Sequence, residues 1–124
     1  KHIQLVQKGE PVLMIGSDIL IYRLVYNLVE NAIKYNRLDG TVTVSVTEEN
    51  DRTCIRVEDT GNGIPEELKG RVFDPFLLVD KSRSRALGGV GLGLALVHEI
   101  VRVHDGEITI KDNKAGGTTF EVRF

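Results

Sequence analysis

Two asparagines lie one helical turn apart in the segment NLVENAIKY, and a lysine follows at the next turn. Asn27, Asn31 and Lys34 have the spacing i, i+4, i+7, so a helix places them on one face. A solvated helix face normally carries Glu, Lys or Gln, because Asn is a poor former of helix interiors. Amide oxygens can ligate Mg²⁺ while phosphates and water complete its coordination. The segment therefore indicates either a plain polar stripe or a metal and phosphate site.

A carboxylate followed by two glycines ends a predicted strand, in the segment Asp59–Gly63. The alternation along Arg52–Asp59 puts Asp59 on the same face as Ile55 and Val57, which is the core face. A buried carboxylate is costly unless a donor reaches it, and the amino group of a ligand would be such a donor. The glycines would let the backbone approach a flat ring closely. A simple strand-ending turn is the alternative interpretation.

A denser glycine cluster, GGVGLGL at residues 88–94, directly precedes a predicted helix. Bare backbone amides at a helix N-terminus form an anion site. The segment lacks the Gly-Lys-Ser/Thr of a Walker A loop, and it lacks the preceding strand and third glycine of a dinucleotide-binding fingerprint. Lys81, Arg83 and Arg85 precede it, and they indicate either a solvated loop or cations that close over a polyphosphate. A hinge without a ligand is the alternative for the glycines.

Composition limits the remaining classes of function. The chain has 124 residues, with 16 Lys and Arg against 18 Asp and Glu, for a formal net charge of −2. This balance argues against a strongly basic binder of nucleic acids or of anionic membranes. Cys54 is the sole cysteine, which excludes an internal disulfide, and no apolar run approaches the length of a membrane span. We expect a single domain with a core of its own.

Hydrophobic periodicity predicts the elements that position these side chains. They are strands Ile3–Gln7 and Pro11–Ile15 around a turn at Lys8–Glu10, a helix from Ser17 or Asp18 to about Asn36, strands Thr41–Glu48 and Arg52–Asp59, helices 65–70 and 91–104, and strands Glu107–Asp112 and Thr118–Phe124. Segment 77–90 has no sustained period and is long enough to be a functional loop. The order predicts an α/β two-layer sandwich, with helices on one face of a mixed, largely antiparallel sheet.

In this order the segments resemble the ATP-binding catalytic domain of sensor histidine kinases, which has the Bergerat fold shared with gyrase, Hsp90 and MutL. The resemblance covers essentially the whole chain, 1–124, as one domain. Five segments carry it: the N-box-like Asn27–Tyr35, the G1-like Asp59–Gly63, the F-box-like Phe73–Phe76, the G2-like Gly89–Leu94 and the G3-like Gly116–Phe120.

The resemblance implies roles for these residues in binding ATP or ADP with Mg²⁺. Asp59 would accept a hydrogen bond from the adenine amino group, and Thr118 would line the base pocket. Asn31 would ligate Mg²⁺, with Asn27 as a further candidate ligand, and Lys34 would contact phosphate. The other nucleotide-contacting positions implied are Glu30, Tyr35, Gly61, Gly63, Ile64, Phe76, Lys81, Gly89, Val90, Gly91, Leu92, Gly93 and Leu94.

The implied reaction is transfer of the γ-phosphoryl group to a histidine on a separate dimerisation and phosphoacceptor domain. Segment 77–90 would be the ATP lid, and Asn27, Asn31, Lys34, Arg83 and Arg85 would act at the transferred group. Asn27 occupies a position where hydrolytic relatives typically carry Glu, which favours transfer over hydrolysis. We expect the acceptor histidine to lie outside this chain, because none of its three histidines has a suitable context.

The resemblance also implies a cellular setting. We expect a cytoplasmic, monomeric catalytic fragment of a kinase that is anchored in a bacterial membrane or free, signals indirectly to a response regulator, and contacts neither nucleic acid nor lipid directly. Two alternatives stay open. Leu78 and Val90 depart from the family pattern, which favours an ATP-gated binding module with weak transfer. A gyrase- or Hsp90-type ATPase is the second alternative.

Overall fold

The computed structural model describes residues 3–9, 11–12, 14, 16–73 and 93–124. Within them the strands are β1 (Gln4–Gly9), β2 (Thr41–Glu49), β3 (Arg52–Asp59), β4 (Glu107–Asp112) and β5 (Thr118–Arg123). The helices are α1 (Asp18–Lys34), α2 (Glu66–Lys69) and α3 (Gly93–Val103). None of the helices in this described part is long and apolar enough to cross a membrane.

The five strands form one sheet in the order β1-β2-β3-β5-β4. β1 pairs with β2 in parallel, and the other three pairs are antiparallel. Asn50 and Asp51 connect β2 to β3 with φ angles of 52° and 63°, the positive values that a tight hairpin turn needs. The prediction of a mixed, largely antiparallel sheet in a two-layer α/β domain is confirmed.

Helix α1 carries the candidate metal and phosphate residues, and its start is clearly specified. The Ser17 hydroxyl accepts a hydrogen bond from the backbone N–H of Leu20 at 3.3 Å, which satisfies one of the free amides of the first turn. Asp18 in the first turn and Lys34 in the last turn both complement the helix dipole. The predicted start at Ser17 or Asp18 is confirmed.

The core lies between the helices and one face of the sheet. Leu24 and Leu28 of α1 and Val97 of α3 pack against Val57 and Phe120 of the central strands, all of them buried. Burial of each such side chain stabilises the fold by roughly 1.5–3 kcal/mol. This packing holds α1 against the sheet near the C-terminal end of β3. It therefore determines where the candidate site residues of α1 and β3 meet.

The predicted turn at Lys8 and Gly9 is wrong, and so is the predicted strand at the described residues of Pro11–Ile15. β1 continues through Lys8 to Gly9, and the described residues Pro11, Val12 and Met14 belong to no strand. Gly9 has a φ of +102°, and a Cβ there would lie 2.1 Å from the carbonyl oxygen of Val46 on β2. The glycine that suggested a hairpin turn instead allows a close approach to a strand distant in sequence.

His104 joins the end of α3 to the start of α1. Its Nε2 accepts a hydrogen bond from the backbone N–H of Ser17 at 3.1 Å, so its Nδ1 carries the proton and donates to the carbonyl of Ile100 at 2.8 Å. The ring also meets Phe124 edge to face at 5.7 Å. The two helices are therefore held side by side in antiparallel directions.

Candidate functional site

Asp59 lies on the core face at the end of β3, as the alternation predicts, with only 7% of its surface exposed. Its Oδ1 accepts hydrogen bonds from the backbone N–H groups of Gly61, at 2.9 Å, and Thr118, at 3.1 Å. No described residue donates to Oδ2. Burial raises the pKa of Asp59, and the two backbone hydrogen bonds oppose that rise. The result is a carboxylate with one oxygen held in place and the other available to a ligand.

Asn113, in the loop between β4 and β5, locks the glycine-rich turn onto Asp59. Its Nδ2 donates to the backbone carbonyl of Asp59 at 2.9 Å, and its Oδ1 accepts from the N–H of Gly117 at 3.1 Å. A Cβ on Gly117 would lie 2.1 Å from the Asp59 carbonyl oxygen, so only glycine fits there. The sequence analysis missed Asn113, although an Asn shortly before two glycines is typical of a side-chain-stabilised turn.

The end of α1 contacts the same corner of the sheet. A Cβ on Gly61 would lie 2.3 Å from the backbone oxygen of Tyr35 and 3.1 Å from the Cα of Asn36. The NLVENAIKY segment and the segment after β3 are therefore in direct backbone contact. Tyr35 and Gly61, which are more than twenty residues apart in sequence, therefore lie next to each other at the end of β3.

The opposite end of the site lies further back along α1, where α3 begins. The Nδ2 of Asn27 donates to the backbone oxygen of Arg23 at 2.7 Å. A Cβ on Gly93 would lie 3.1 Å from the Oδ1 of Asn27, which places this amide oxygen beside the first residue of α3. Asn31 is part-buried and lies one turn further along α1. Asn27 thus lies beside the start of α3, and Asn31 lies one turn away on the same face of α1.

Lys34 forms an ion pair with Glu30, with Nζ and Oε1 3.1 Å apart. The hydrogen bond from Lys34 is the main reason why the pKa of Glu30 lies below its usual value. A hydrogen bond to Glu30 raises the pKa of Tyr26. These groups are substantially exposed, so solvent screens the pair and it contributes little to stability. The contact of Lys34 with phosphate stays a prediction.

Apolar residues that neighbour the candidate site residues in sequence pack against the core. Ile64 and Leu94 are part-buried and pack against the core, and Thr118 is buried beside Asp59. Phe73 also packs there, with its ring centroid 5.2 Å from His98 and 6.5 Å from Phe120.

Several predicted contacts lie outside the described residues. They are the lid at 77–90 and the candidate contacts Phe76, Lys81, Arg83, Arg85, Gly89, Val90, Gly91 and Leu92. Within the described ranges, no three His, Cys, Asp or Glu side chains come together in a way that could hold a metal ion.

Comparison with known proteins agrees with this geometry. Residues 16–124 match the family model described as "Histidine kinase-, DNA gyrase B-, and HSP90-like ATPase". The Sensor protein CiaH of Streptococcus pneumoniae is 40% identical over 110 residues, which are 89% of this chain and 25% of CiaH. The sensor histidine kinase WalK of Bacillus subtilis is 45% identical over 101 residues, 80% of this chain and 16% of WalK. The chain thus spans about a quarter or less of these curated relatives.

A solved structure of a sensor histidine kinase shares the fold of this chain. The mycobacterial sensor histidine kinase MprB superposes with a TM-score of 0.88 at 27% identity, over 98% of this chain and 82% of that one. The chain therefore belongs to the family of histidine kinase-, DNA gyrase B- and HSP90-like ATPases.

Proposed function

We propose that this chain, residues 1–124 as one domain, is the catalytic ATP-binding domain of a sensor histidine kinase. It binds Mg²⁺-ATP and transfers the γ-phosphoryl group to a histidine on a separate dimerisation and phosphoacceptor domain. The observation that carries the proposal is the buried carboxylate of Asp59, whose Oδ1 is held by two backbone amides. Its other oxygen suits the amino group of a purine.

The base end of the site, defined here as Asp59, Gly61 and Thr118, selects adenine. Adenine presents an exocyclic amino group that donates to a carboxylate, whereas guanine presents a carbonyl oxygen at the equivalent place, and two acceptors repel each other. Ile64 and Leu94 pack against the core, and in this proposal they would cover a flat ring without competing hydrogen bonds. This combination supports recognition of ATP and ADP over GTP.

The phosphate end, defined here as Asn27, Asn31 and Lys34, suits Mg²⁺ bound to a polyphosphate. Two amide oxygens are hard donors, and Mg²⁺ normally fills its remaining positions with phosphate oxygens and water. Asn31 would hold the cation, with Asn27 as the further ligand, and Lys34 would neutralise phosphate charge. When bound, the cation supplies charge stabilisation for the transferred group.

Transfer is favoured over hydrolysis by the chemistry of Asn27. A carboxamide is not basic enough to take a proton from water, and the Nδ2 of Asn27 is already engaged with the carbonyl of Arg23. The domain then contributes position and charge, while an incoming imidazole supplies its own nucleophile. The acceptor domain, a downstream response regulator and a cytoplasmic location belong to the same proposal.

The test combines the purified domain with γ-labelled ATP and the dimerisation domain of the protein from which the chain derives. We expect label to appear on that domain, in an acid-labile and base-stable form that is typical of phosphohistidine. Replacing the acceptor histidine by Gln should abolish the signal. GTP carrying the same label serves as the matched control for base recognition and should transfer far less.

Two outcomes would contradict the proposal. Tight ATP binding without label on the acceptor would favour a nucleotide-gated binding module. Steady release of labelled inorganic phosphate by the domain alone, faster than transfer, would favour an ATPase of the gyrase or Hsp90 kind.

A further inference from the structure

Asn36 is a polar side chain with no exposed surface, just past the end of α1. Its Nδ2 donates to the backbone oxygen of Thr41, the first residue of β2, at 3.1 Å. Its Oδ1 accepts from the backbone N–H of Arg37 and from the hydroxyl of Thr60, both at 2.9 Å. An amide this deeply buried is costly unless its hydrogen bonds are made, so these bonds hold one arrangement of the surrounding backbone.

Thr60 is the second half of this contact, and it directly follows Asp59. Its hydroxyl donates to Asn36 Oδ1 and accepts from the backbone N–H of Thr41 at 2.8 Å. One hydroxyl therefore joins three segments of the chain: the end of α1, the start of β2 and the loop after β3. The Asn36–Thr60 pair connects residues that are 24 apart in sequence.

Two glycines show that the backbone around the Asn36–Thr60 contact is closely packed. A Cβ on Gly40 would lie 2.1 Å from Asn36 Oδ1 and 2.6 Å from Thr60 Oγ1. A Cβ on Gly61 would lie 2.3 Å from the backbone oxygen of Tyr35. Neither glycine has a positive φ, so close packing, and not backbone conformation, requires glycine at both places. The loop after β3 and the end of α1 are thus held at one separation.

We propose that Asn36 and Thr60 are positioning residues that set the distance between the base end and the phosphate end of the nucleotide site. The inference rests on the proposed function, because it assigns the two ends to one nucleotide. Asn36 follows the helix that carries Asn27, Asn31 and Lys34, and Thr60 follows Asp59. Neither side chain needs to touch the nucleotide. Their hydrogen bonds align the two halves that do.

Ligands of different length separate this role from simple stabilisation. Adenosine engages the base end alone, whereas ADP spans both ends and gains affinity only when their separation matches its own length. Loss of the Asn36–Thr60 contact should therefore weaken the binding of ADP more than the binding of adenosine. A residue that only stabilised the fold would lower the melting temperature but leave both affinities of the folded protein unchanged.

The experiment measures the affinities of the same chain for ADP with Mg²⁺ and for adenosine, by calorimetry or NMR titration well below the melting temperature. Thr60→Val keeps the shape of the side chain and removes its hydroxyl. We expect ADP to bind about tenfold more weakly and adenosine less than about threefold more weakly. Thr60→Ser, which restores the hydroxyl, should return ADP affinity to within about twofold of the original protein.

Thr53→Val is the matched control, because Thr53 is a buried threonine near the opposite end of β3, whereas Thr60 is part-buried and directly follows β3. It should leave the ratio of the two affinities unchanged. If Thr60→Val does not fold, Thr60→Ala removes the same hydroxyl with less bulk and replaces it in the comparison.

Equal weakening of ADP and adenosine by the Thr60 variants would overturn the inference, as would unchanged affinities with a lowered melting temperature. In either case the original protein still binds ADP, so the proposed function survives. Failure of the original protein to bind ADP would overturn the proposed function and the inference with it.

Discussion

The two ends of the site are built differently. At the base end, Asp59 and Gly61 are buried and held by backbone hydrogen bonds and close backbone packing from three separate segments. At the phosphate end, the described residues project from a single helix, and Lys34 is held by an exposed ion pair with Glu30. One end is preorganised by the fold, and the other relies on adaptable side chains.

This difference matches what a phosphoryl-transfer domain has to do. The base is the same in substrate and product, so a rigid pocket can recognise it before and after the reaction. The phosphate chain loses a group and its charge changes, so the residues that face it must accommodate two charge states. We therefore expect substitutions at the base end to have large effects on both folding and binding, and substitutions at the phosphate end to have smaller and more selective effects.

The largest effect is expected from Gly61→Ala. The new Cβ would lie 2.3 Å from the backbone oxygen of Tyr35, and a backbone atom cannot move aside cheaply. We expect a loss of about 1–3 kcal/mol in the free energy of unfolding, measured by urea denaturation, together with the loss of detectable ADP binding. Gly70→Ala is the control, since a Cβ there meets nothing within 4 Å. Normal ADP binding by Gly61→Ala would contradict a preorganised base end.

The next largest effect is expected from Asp59→Asn. The amide oxygen of Asn can still accept from the amides of Gly61 and Thr118, so the pocket keeps its shape. Its NH₂ group would face the adenine amino group, donor against donor. We expect ADP to bind about a hundredfold more weakly, by calorimetry. An unchanged affinity would mean that Asp59 does not contact the base.

The same variant tests the cost of the buried charge. Because the pKa of Asp59 is raised in the folded state, ionisation favours the unfolded state, and stability falls as pH rises from its ordinary pKa through the raised one. The amide side chain of the Asp59→Asn variant does not ionise, so this variant does not lose stability in that pH range. Its melting temperature should exceed that of the original protein at pH 7, and the difference should disappear below the ordinary pKa of about 3.9. A lower melting temperature for Asp59→Asn at pH 7 would contradict this account.

A smaller, selective effect is expected from Asn31→Ala at the phosphate end. Alanine is a better helix former than asparagine, so α1 should stay folded. The gain in ADP affinity from adding Mg²⁺ should fall by about tenfold, while affinity in EDTA stays close to that of the original protein. Calorimetric titrations with Mg²⁺ and with EDTA measure both. Equal losses in the two conditions would exclude Asn31 as a metal ligand.

The smallest effect is expected from Glu30→Gln, which removes the charge that pairs with Lys34. Exposed ion pairs of this kind contribute little, so the free energy of unfolding should change by less than about 0.5 kcal/mol. Thermal melting at low and high salt measures it, and any difference from the original protein should shrink as salt increases. A large, salt-independent loss would mean that the phosphate end is as tightly built as the base end.

Local patterns were sufficient to predict most of the elements. Alternation located the β2–β3 and β4–β5 hairpins, and it placed Asp59 on the core face, because side-chain direction along a strand depends only on sequence spacing. The cap at Ser17 was also visible, since its signal lies within one turn of the helix it starts. The burial of Asp59 at the end of β3 followed from these local rules, whereas its contact with a nucleotide stays a prediction from the family resemblance.

Contacts between distant segments could not be predicted in this way. Gly9 looks like a turn residue, and only the parallel partner β2 shows that it serves a close strand contact. Asn36 looks like an ordinary loop residue, and its burial depends on Thr60, 24 residues away. Asn113 holds Asp59 across 54 residues. Hydrogen bonds of this range depend on the assembled fold and leave no periodic signal in the sequence.

β5 pairs with β4, which precedes it in the chain, and also with β3, so the hydrogen bond from the Thr118 N–H to Asp59 closes a loop between residues that are 59 apart in sequence. The entropy lost on closing such a loop rises only with the logarithm of its length, so doubling it costs roughly 0.6 kcal/mol. The pairing of β3 with β5 therefore costs little more in chain entropy than a pairing of strands joined by half as many residues.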